Sequence, residues 1–284
     1  MSKNAPFKNI AVIGAGTMGS GIAGQIANSE QEVLLLDIPG KTPNSITEDA
    51  VKKLIRSDPP ALMHKNKANL IKVGNIRDDF NKLANCDLII EAVVERLDIK
   101  KDLYNRINNI VNSKCVITSN TSTIPIKLLV EDMPQSFRER FAITHYFNPV
   151  RFMRLLELVR GEHTKSEIIK KLADYNDRIL GKGVVACNDT PGFLGNRVGV
   201  YALQVGMDEA YKLNLTVEEA DSLMGRPMGI PKTGIFGLYD LIGIDLMSDV
   251  VDTLGTILPD NDDFHKVGAS NIPTAELIKK MIDE

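Results

Sequence analysis

Apolar residues along this chain change their spacing repeatedly, and each change predicts an element. Ile10 to Ile13 is a short, β-branched run whose length suits a buried strand. Met18, Ile22, Ile26 and Ala27 then recur at helical spacing, and Val33 to Leu36 forms a second strand-like run that closes on Asp37. After the turn IPGKTPNS, a charged segment predicts an inserted pair of helices, 47–57 and 61–70, split by Asp58-Pro59-Pro60. Asp87 to Glu95 predicts a strand with acids at or near its ends, and 97–111 predicts a helix. Cys115 to Ser119 is the next strand, and it stops in Asn120-Thr121-Ser122-Thr123. Phe141 to Phe147 and Leu155 to Val159 are two further strands. Thr164 with Glu167 forms a capping box that opens a helix running to about Leu180, and Val184 to Cys187 is the last strand. Strands alternating with helices predict an α/β fold, a doubly wound and mostly parallel sheet.

Beyond Pro191 the pattern becomes helical throughout. Phe193 to Leu213 is long and free of proline, Thr216 with Glu219 makes another capping box, and 235–257 and 274–283 have helical spacing. The chain therefore divides into an α/β domain over 1–188 and an all-helical domain over 189–284, with no internal repeat. The helix after Pro191 carries two apolar stripes: Leu194, Val198, Tyr201 and Val205 on one side, and Val200, Leu203 and Met207 on another. One stripe is enough for a helix on the outside of a lobe. Two imply a second cover, either another copy of this chain in a symmetric homodimer or a second helical domain in a longer protein.

The join between the first strand and helix carries chemistry. Gly14, Gly16 and Gly19 form G-x-G-x-x-G between strand and helix, with an acid at the end of the next strand. The first glycine permits the tight turn, the second lets a pyrophosphate approach the backbone, and the third lets helix pack on strand. The start of the helix offers N–H groups and a positive dipole end to phosphates. Asp37 can accept hydrogen bonds from an adenosine ribose and would repel a 2′-phosphate, and Ile38-Pro39-Gly40 contains no arginine to greet one. The expected cofactor is NAD rather than NADP.

Composition narrows the rest. At 284 residues, 43% hydrophobic and 25% charged, the chain suits two globular domains. A net charge of −3 gives no footprint for nucleic acid. No apolar run approaches the roughly 20 residues that span a bilayer. The N-terminal MSKNAPFKN lacks the apolar core of a signal peptide, so a cytoplasmic setting is expected. The three cysteines and four histidines show no metal-ligand spacing, and no metal is expected. Lys52, Lys53 and Arg56 could share a face and meet phosphates, but a solvated surface accounts for them more simply.

Ligands of open α/β sheets bind beyond the carboxyl ends of the strands. Asn120-Thr121-Ser122, His145 and Asn148 all fall at such ends. Oxidation of an alcohol needs a base for the hydroxyl proton, and imidazole suits that role near neutral pH. Glu157, on the following strand, could hold the ring in the required tautomer. From the residues alone, His145 could equally be a core histidine, Ser122 a cap for the helix near Pro125, and Asn196 a first-turn hydrogen bonder. Glu157 is harder to dismiss, because a carboxylate on an apolar strand needs a partner.

GAGTMGSGIA, EAVVE, SNTST, HYFNPV with Leu155-Leu156-Glu157, and DTPGFLGNR together resemble the L-3-hydroxyacyl-CoA dehydrogenase family, in that family's order, to about residue 245. GIPKTGIFGLYDLIGIDL is similar to its helical domain, and the whole looks most like the dehydrogenase part of bacterial multifunctional fatty-acid oxidation proteins. The resemblance implies a Rossmann-type fold with a helical C-terminal domain, NAD, and an acyl-CoA substrate lying between the domains. It implies His145 as base, Glu157 as its partner, and Ser122 and Asn196 on the substrate oxygen. For the cofactor it points to Gly14, Ala15, Gly16, Thr17, Met18, Gly19, Asp37, Glu95, Lys100, Ser122 and Asn148. The chain departs from the family in its inserted segment and in stopping at Ile282-Asp283-Glu284, before the family's basic, glycine-rich end. A piece of a longer protein is therefore expected. A dehydrogenase of a small 3-hydroxy acid or sugar acid, and a non-catalytic NAD- or acyl-CoA-binding module, are the competing functions. The presence of His145, Glu157, Ser122 and Asn196 together weighs against the module.

Overall fold

A computed structural model of the chain describes residues 5–229, 232–267, 276 and 278–280. Among them the backbone forms two compact units, Met1–Thr190 and Pro191–Glu284. The first is built on an eight-stranded sheet of order β3-β2-β1-β4-β5-β6-β7-β8. Its strands are β1 (Ile10–Ile13), β2 (Val33–Asp37), β3 (Ile71–Asn75), β4 (Leu88–Glu91), β5 (Val116–Ser119), β6 (Phe141–Tyr146), β7 (Leu155–Arg160) and β8 (Gly183–Cys187). All neighbours run parallel except β6 and β7. The order reverses at β1, which lies between β2 and β4. Such a reversal is where a doubly wound sheet opens a crevice for ligand.

Helices α1 (Thr17–Asn28), α2 (Ser45–Arg56), α3 (Leu97–Asn108), α4 (Ile126–Val130), α5 (Gln135–Arg138) and α6 (Ser166–Arg178) connect the strands. On α1 the fully buried Ile22, Ala23, Ile26 and Ala27 sit at i, i+1, i+4 and i+5 and join the core formed by Ile10, Val12, Val33 and Leu35. Burial of one such aliphatic side chain stabilises the fold by about 1.5–3 kcal/mol. No side chain caps the first turn of α1, whose N-cap is Gly16.

Three expectations for the first unit need correction. The second inserted helix, 61–70, is a 3₁₀ turn over Lys65–Leu70 that leads into β3, an edge strand the pattern did not reveal. The strand from Asp87 ends at Glu91, so Ala92 to Glu95 leave the sheet as a loop. Thr164 is not the cap of α6, which is Lys165. Its hydroxyl instead donates to the Phe141 carbonyl (2.7 Å) and accepts from the Gly161 N–H (3.0 Å).

The second unit comprises α7 (Gly195–Lys212), α8 (Val217–Leu223), α9 (Phe236–Ile242) and α10 (Ile244–Ile257). Thr216 and Glu219 form a capping box on α8, with both hydrogen bonds present. Gly243, at φ +109°, breaks the 235–257 stretch into α9 and α10. Asp221 accepts from the Phe236 and Gly237 N–H groups (2.8 and 2.9 Å), which fixes the start of α9. Val200, Met207, Tyr239, Val251 and Leu254 share its core. Most of the helix expected over 274–283 lies outside the described residues; 276 and 278–280 are helical.

Candidate active site

The turn between β1 and α1 is shaped by its glycines. Gly14 sits at φ +104°, and a Cβ there would run into the Ala92 carbonyl, while a Cβ on Gly19 would run into that of Gly14. A Cβ at Gly16 would meet no atom within 4 Å, so the backbone there faces open space. That arrangement fits a pyrophosphate: two glycines close the turn and the third keeps the approach clear. Asp37 ends β2 beside it. Its carboxylate accepts from the Ala15 N–H (2.5 Å) and the Ile38 N–H (2.6 Å), which ties the acid to the turn. Thr17 and Met18 form the first turn of α1, Thr17 exposed and Met18 packed against the core. A cavity of about 640 Å³ opens from the same turn, lined by Ala15, Gly16, Thr17, Lys53, Asn148 and Phe152. Lys52, Lys53 and Arg56 are all exposed.

Beyond β4 and β5 lies a polar cluster. Glu95, in the loop after β4, takes hydrogen bonds from the Thr121 hydroxyl, the Thr123 hydroxyl (3.0 Å) and the Ser122 N–H (3.3 Å). Burial pushes the Glu95 carboxyl up, but the charge of Lys100 and the donors Thr121, Lys100 and Thr123 outweigh it and hold the group below its ordinary value. The Lys100 ammonium lies 3.2 Å from Glu95 and 2.7 Å from Glu91. Ser122 does not cap α4. The N-cap of that helix is Pro125, and its first N–H, that of Ile126, is held by the Asp189 carboxylate (2.9 Å).

At the end of β6, His145 is buried and its Nδ1 lies 2.7 Å from Oε2 of the fully buried Glu157. The Phe147 ring flanks the imidazole with centroids 4.5 Å apart, and Cys187 Sγ lies 3.7 Å from the other Glu157 oxygen. Asn120 Oδ1 accepts from the Tyr146 N–H (3.0 Å), which joins the end of β5 to the residue after His145. Asn148 is exposed in the loop that follows. The Lys182 ammonium anchors that loop by donating to the carbonyls of Val150 and Met153, and burial pushes its pKa down to about 8.

The first unit thus carries the glycine turn, Asp37, Glu95, Lys100, Ser122, His145, Asn148 and Glu157, and it brings His145 to Glu157 and Ser122 to Glu95. Asn196 belongs to the second unit, as the second residue of α7. Sequence reasoning missed Glu91, Tyr104 and Ser119. The available signal was an acid inside the apolar run Leu88-Ile89-Ile90-Glu91-Ala92. Among the described residues, no group of three His, Cys, Asp or Glu could hold a metal ion. No helix among them is long and apolar enough to cross a membrane.

Residues 9–190 match the family model described as 3-hydroxyacyl-CoA dehydrogenase, NAD binding domain, and residues 192–283 match that family's C-terminal domain. A "Probable 3-hydroxyacyl-CoA dehydrogenase" of Deinococcus radiodurans is 40% identical over 91% of this chain and 75% of its own length. A "Putative fatty acid oxidation complex trifunctional enzyme" of Rickettsia felis is 43% identical over 97% of this chain, which spans only 39% of that relative. The crystal structure of (S)-3-hydroxybutyryl-CoA dehydrogenase PaaH1 from Ralstonia eutropha superposes with a TM-score of 0.79 at 28% identity, covering 98% of this chain and 94% of that one. The chain belongs to the 3-hydroxyacyl-CoA dehydrogenase family, with that family's NAD-binding domain followed by its helical C-terminal domain.

Proposed function

We propose that this chain oxidises L-3-hydroxyacyl-CoA to 3-oxoacyl-CoA with NAD, as a step of fatty-acid β-oxidation. The observation that carries the reading is the His145–Glu157 pair at the end of β6, in the same sheet as a glycine turn open at Gly16. Bound NAD supplies the acceptor for the hydride. Glu157 accepts the Nδ1 hydrogen of His145, so Nε2 takes the substrate hydroxyl proton, and the buried carboxylate stabilises the imidazolium that results. Ser122 and Asn196 donate to the substrate oxygen as it becomes a carbonyl. The residues Gly14 to Gly19 cradle the pyrophosphate, Asp37 takes the adenosine ribose, Glu95, Ser122 and Asn148 complete the cofactor surface, and the buried Lys100 contributes to it through its ion pair with Glu95.

The Rickettsia felis relative carries a trifunctional name, which supports the β-oxidation context. The three cysteines are free thiols, which fits the cytoplasmic setting expected from the sequence. The test is NADH absorbance with a series of 3-hydroxyacyl-CoA thioesters against the free 3-hydroxy acids. Turnover of thioesters alone supports the reading. Turnover of the free acids alone would favour the small-acid dehydrogenase, and NAD binding without turnover of either would favour the non-catalytic module.

A further inference from the structure

Glu91 is a buried, heavily hydrogen-bonded side chain near the site that the proposed chemistry does not use. It ends β4 with 0% exposure and has four donors. Oε1 accepts from the Lys100 ammonium (2.7 Å) and the Val93 N–H (2.8 Å). Oε2 accepts from the Tyr104 hydroxyl (2.6 Å) and the Ser119 hydroxyl (2.7 Å). An isolated carboxylate in this position would be prohibitive, and four donors including a cation are what make it tolerable. Lys100, 1% exposed, is equally dependent on its acids. Its ammonium bridges Glu91, inside, to Glu95, whose side chain is 38% exposed.

The bridge has a consequence for Ser122. Glu95 is the acceptor for Thr121, Ser122 and Thr123. The Ser119 hydroxyl, which donates to Glu91, also accepts from the Thr121 N–H (3.2 Å). The turn after β5 is therefore gripped twice: by Glu95 from the loop side, and through Ser119 from the Glu91 side. If Lys100 had one acid rather than two, its attraction for Glu95 would be undivided and would compete with the turn for that carboxylate. Glu91 satisfies the ammonium from below and leaves Glu95 to share itself between Lys100 and residues 121–123.

We propose that Glu91 is a positioning residue of the NAD site, whose buried charge acts through Lys100 to set Glu95 and hold the turn that carries Ser122. The inference rests on the NAD reading above. Glu91 touches no ligand itself in this account; it orders the residues that do.

The test is Glu91→Gln, which keeps the shape and removes the charge, with NAD affinity measured by calorimetry on the ligand-free protein. The dissociation constant for NAD should rise about tenfold, the size of coupling expected within one ion-pair network, while KM for the acyl-CoA stays within about threefold. Tyr104→Phe removes a hydrogen bond to the same carboxylate without altering its charge. It should lower the thermal midpoint yet leave NAD affinity within about threefold, a split that a merely structural role would not produce. Should Glu91→Gln fail to fold, Lys100→Met is compared with Glu91→Gln/Lys100→Met, since replacing both charges of a buried pair is tolerated better than replacing one. Equal NAD affinity in those two supports the relay through Lys100, and a further loss of more than about threefold in the double variant overturns it. A wild-type chain that binds NAD beside a Glu91→Gln chain that binds it equally well overturns this inference alone. A wild-type chain with no NAD affinity overturns the cofactor reading and this inference with it.

Discussion

His145 and Glu157 are register partners, directly opposite one another where β6 and β7 pair antiparallel, and their side chains meet at 2.7 Å. Directly opposed residues in an antiparallel pair project from the same face, so the ladder itself aims the carboxylate at the imidazole. A parallel β7 would have needed a crossover connection, and no such partner would have been set by a loop as short as 147–154.

That geometry leads to the first prediction. Replacing His145→Gln should lower kcat by roughly 10²–10⁴-fold, the range for a positioned general base, with NAD affinity hardly changed. Glu157→Gln should lower kcat as well and move the pH–rate profile, because the imidazolium loses its counter-charge. Steady-state kinetics across pH would check both. A His145→Gln protein that loses stability but keeps its specific activity would show the histidine to be a core residue.

The pairing shows how far the sequence is legible. Strand identities for β6 and β7, and the acid on an apolar strand, were visible in Phe141 to Phe147 and Leu155 to Val159, because a buried strand shows as an apolar run. The edge strand β3 was not visible, since IKVGN carries Lys72 and Gly74 and covers only five residues. The Glu91 cluster was invisible for a different reason. Its donors Lys100, Tyr104 and Ser119 lie 9, 13 and 28 residues away and converge only once β4, α3 and β5 are assembled. The turn residues after β5 were legible as polar signals at a strand end, but their common acceptor, Glu95, was not.

The cofactor preference rests on Asp37. Its carboxylate is fixed at the end of β2 by the Ala15 and Ile38 N–H groups, so it cannot swing aside for a second negative charge without losing both. NAD should bind at least about tenfold more tightly than NADP, or about 1.4 kcal/mol. Calorimetry that returns equal affinities would remove Asp37 from this role.

The glycine turn makes two substitutions behave oppositely. Gly19→Ala places a methyl group against the Gly14 carbonyl, so the turn must open and the thermal midpoint should fall. Gly16→Ala meets open space at φ −65°, so the fold should tolerate it. NAD affinity should nevertheless drop in Gly16→Ala, because the methyl group stands where the pyrophosphate approaches the backbone. A Gly16→Ala protein that melts normally and binds NAD normally would contradict the cradle.

Acid sensitivity follows from Glu95. Its pKa in the folded chain lies below the ordinary 4.5, so between those two values the unfolded chain binds more protons. Stability from this group is fully present above about pH 4.5 and is lost as the pH falls through the folded pKa. The thermal midpoint of the wild type should therefore fall more steeply on acidification below pH 4.5 than that of Glu95→Gln. Parallel midpoint-against-pH curves for the two proteins would show that Lys100 and the 121–123 turn do not hold the carboxylate.

The last prediction concerns association. Of the two stripes on α7, Val200 and Met207 are buried in the core of the helical unit with Leu203 packed against them. On the other stripe Val198 is 57% and Leu194 48% exposed, Val205 is half-buried, and Tyr201 packs against that same core. A groove of about 360 Å³ runs beside them, lined by Phe193, Val198, Tyr201 and Phe264. Leaving the exposed part of that stripe in water forfeits about 25 cal/mol for each Å² of apolar surface that a partner could bury. We propose that a second copy of the helical unit covers it through a symmetric contact, in which each copy offers the same stripe to the other. Light scattering should then give twice the chain mass at micromolar concentration, and Val198→Glu, which places a charge in the middle of the stripe, should return it to the monomer mass with the fold intact. In a longer protein the cover could come from a second helical domain of the same chain, and the full-length protein would then stay monomeric while this chain dimerises. A monomer mass for this chain at high micromolar concentration would end the proposal.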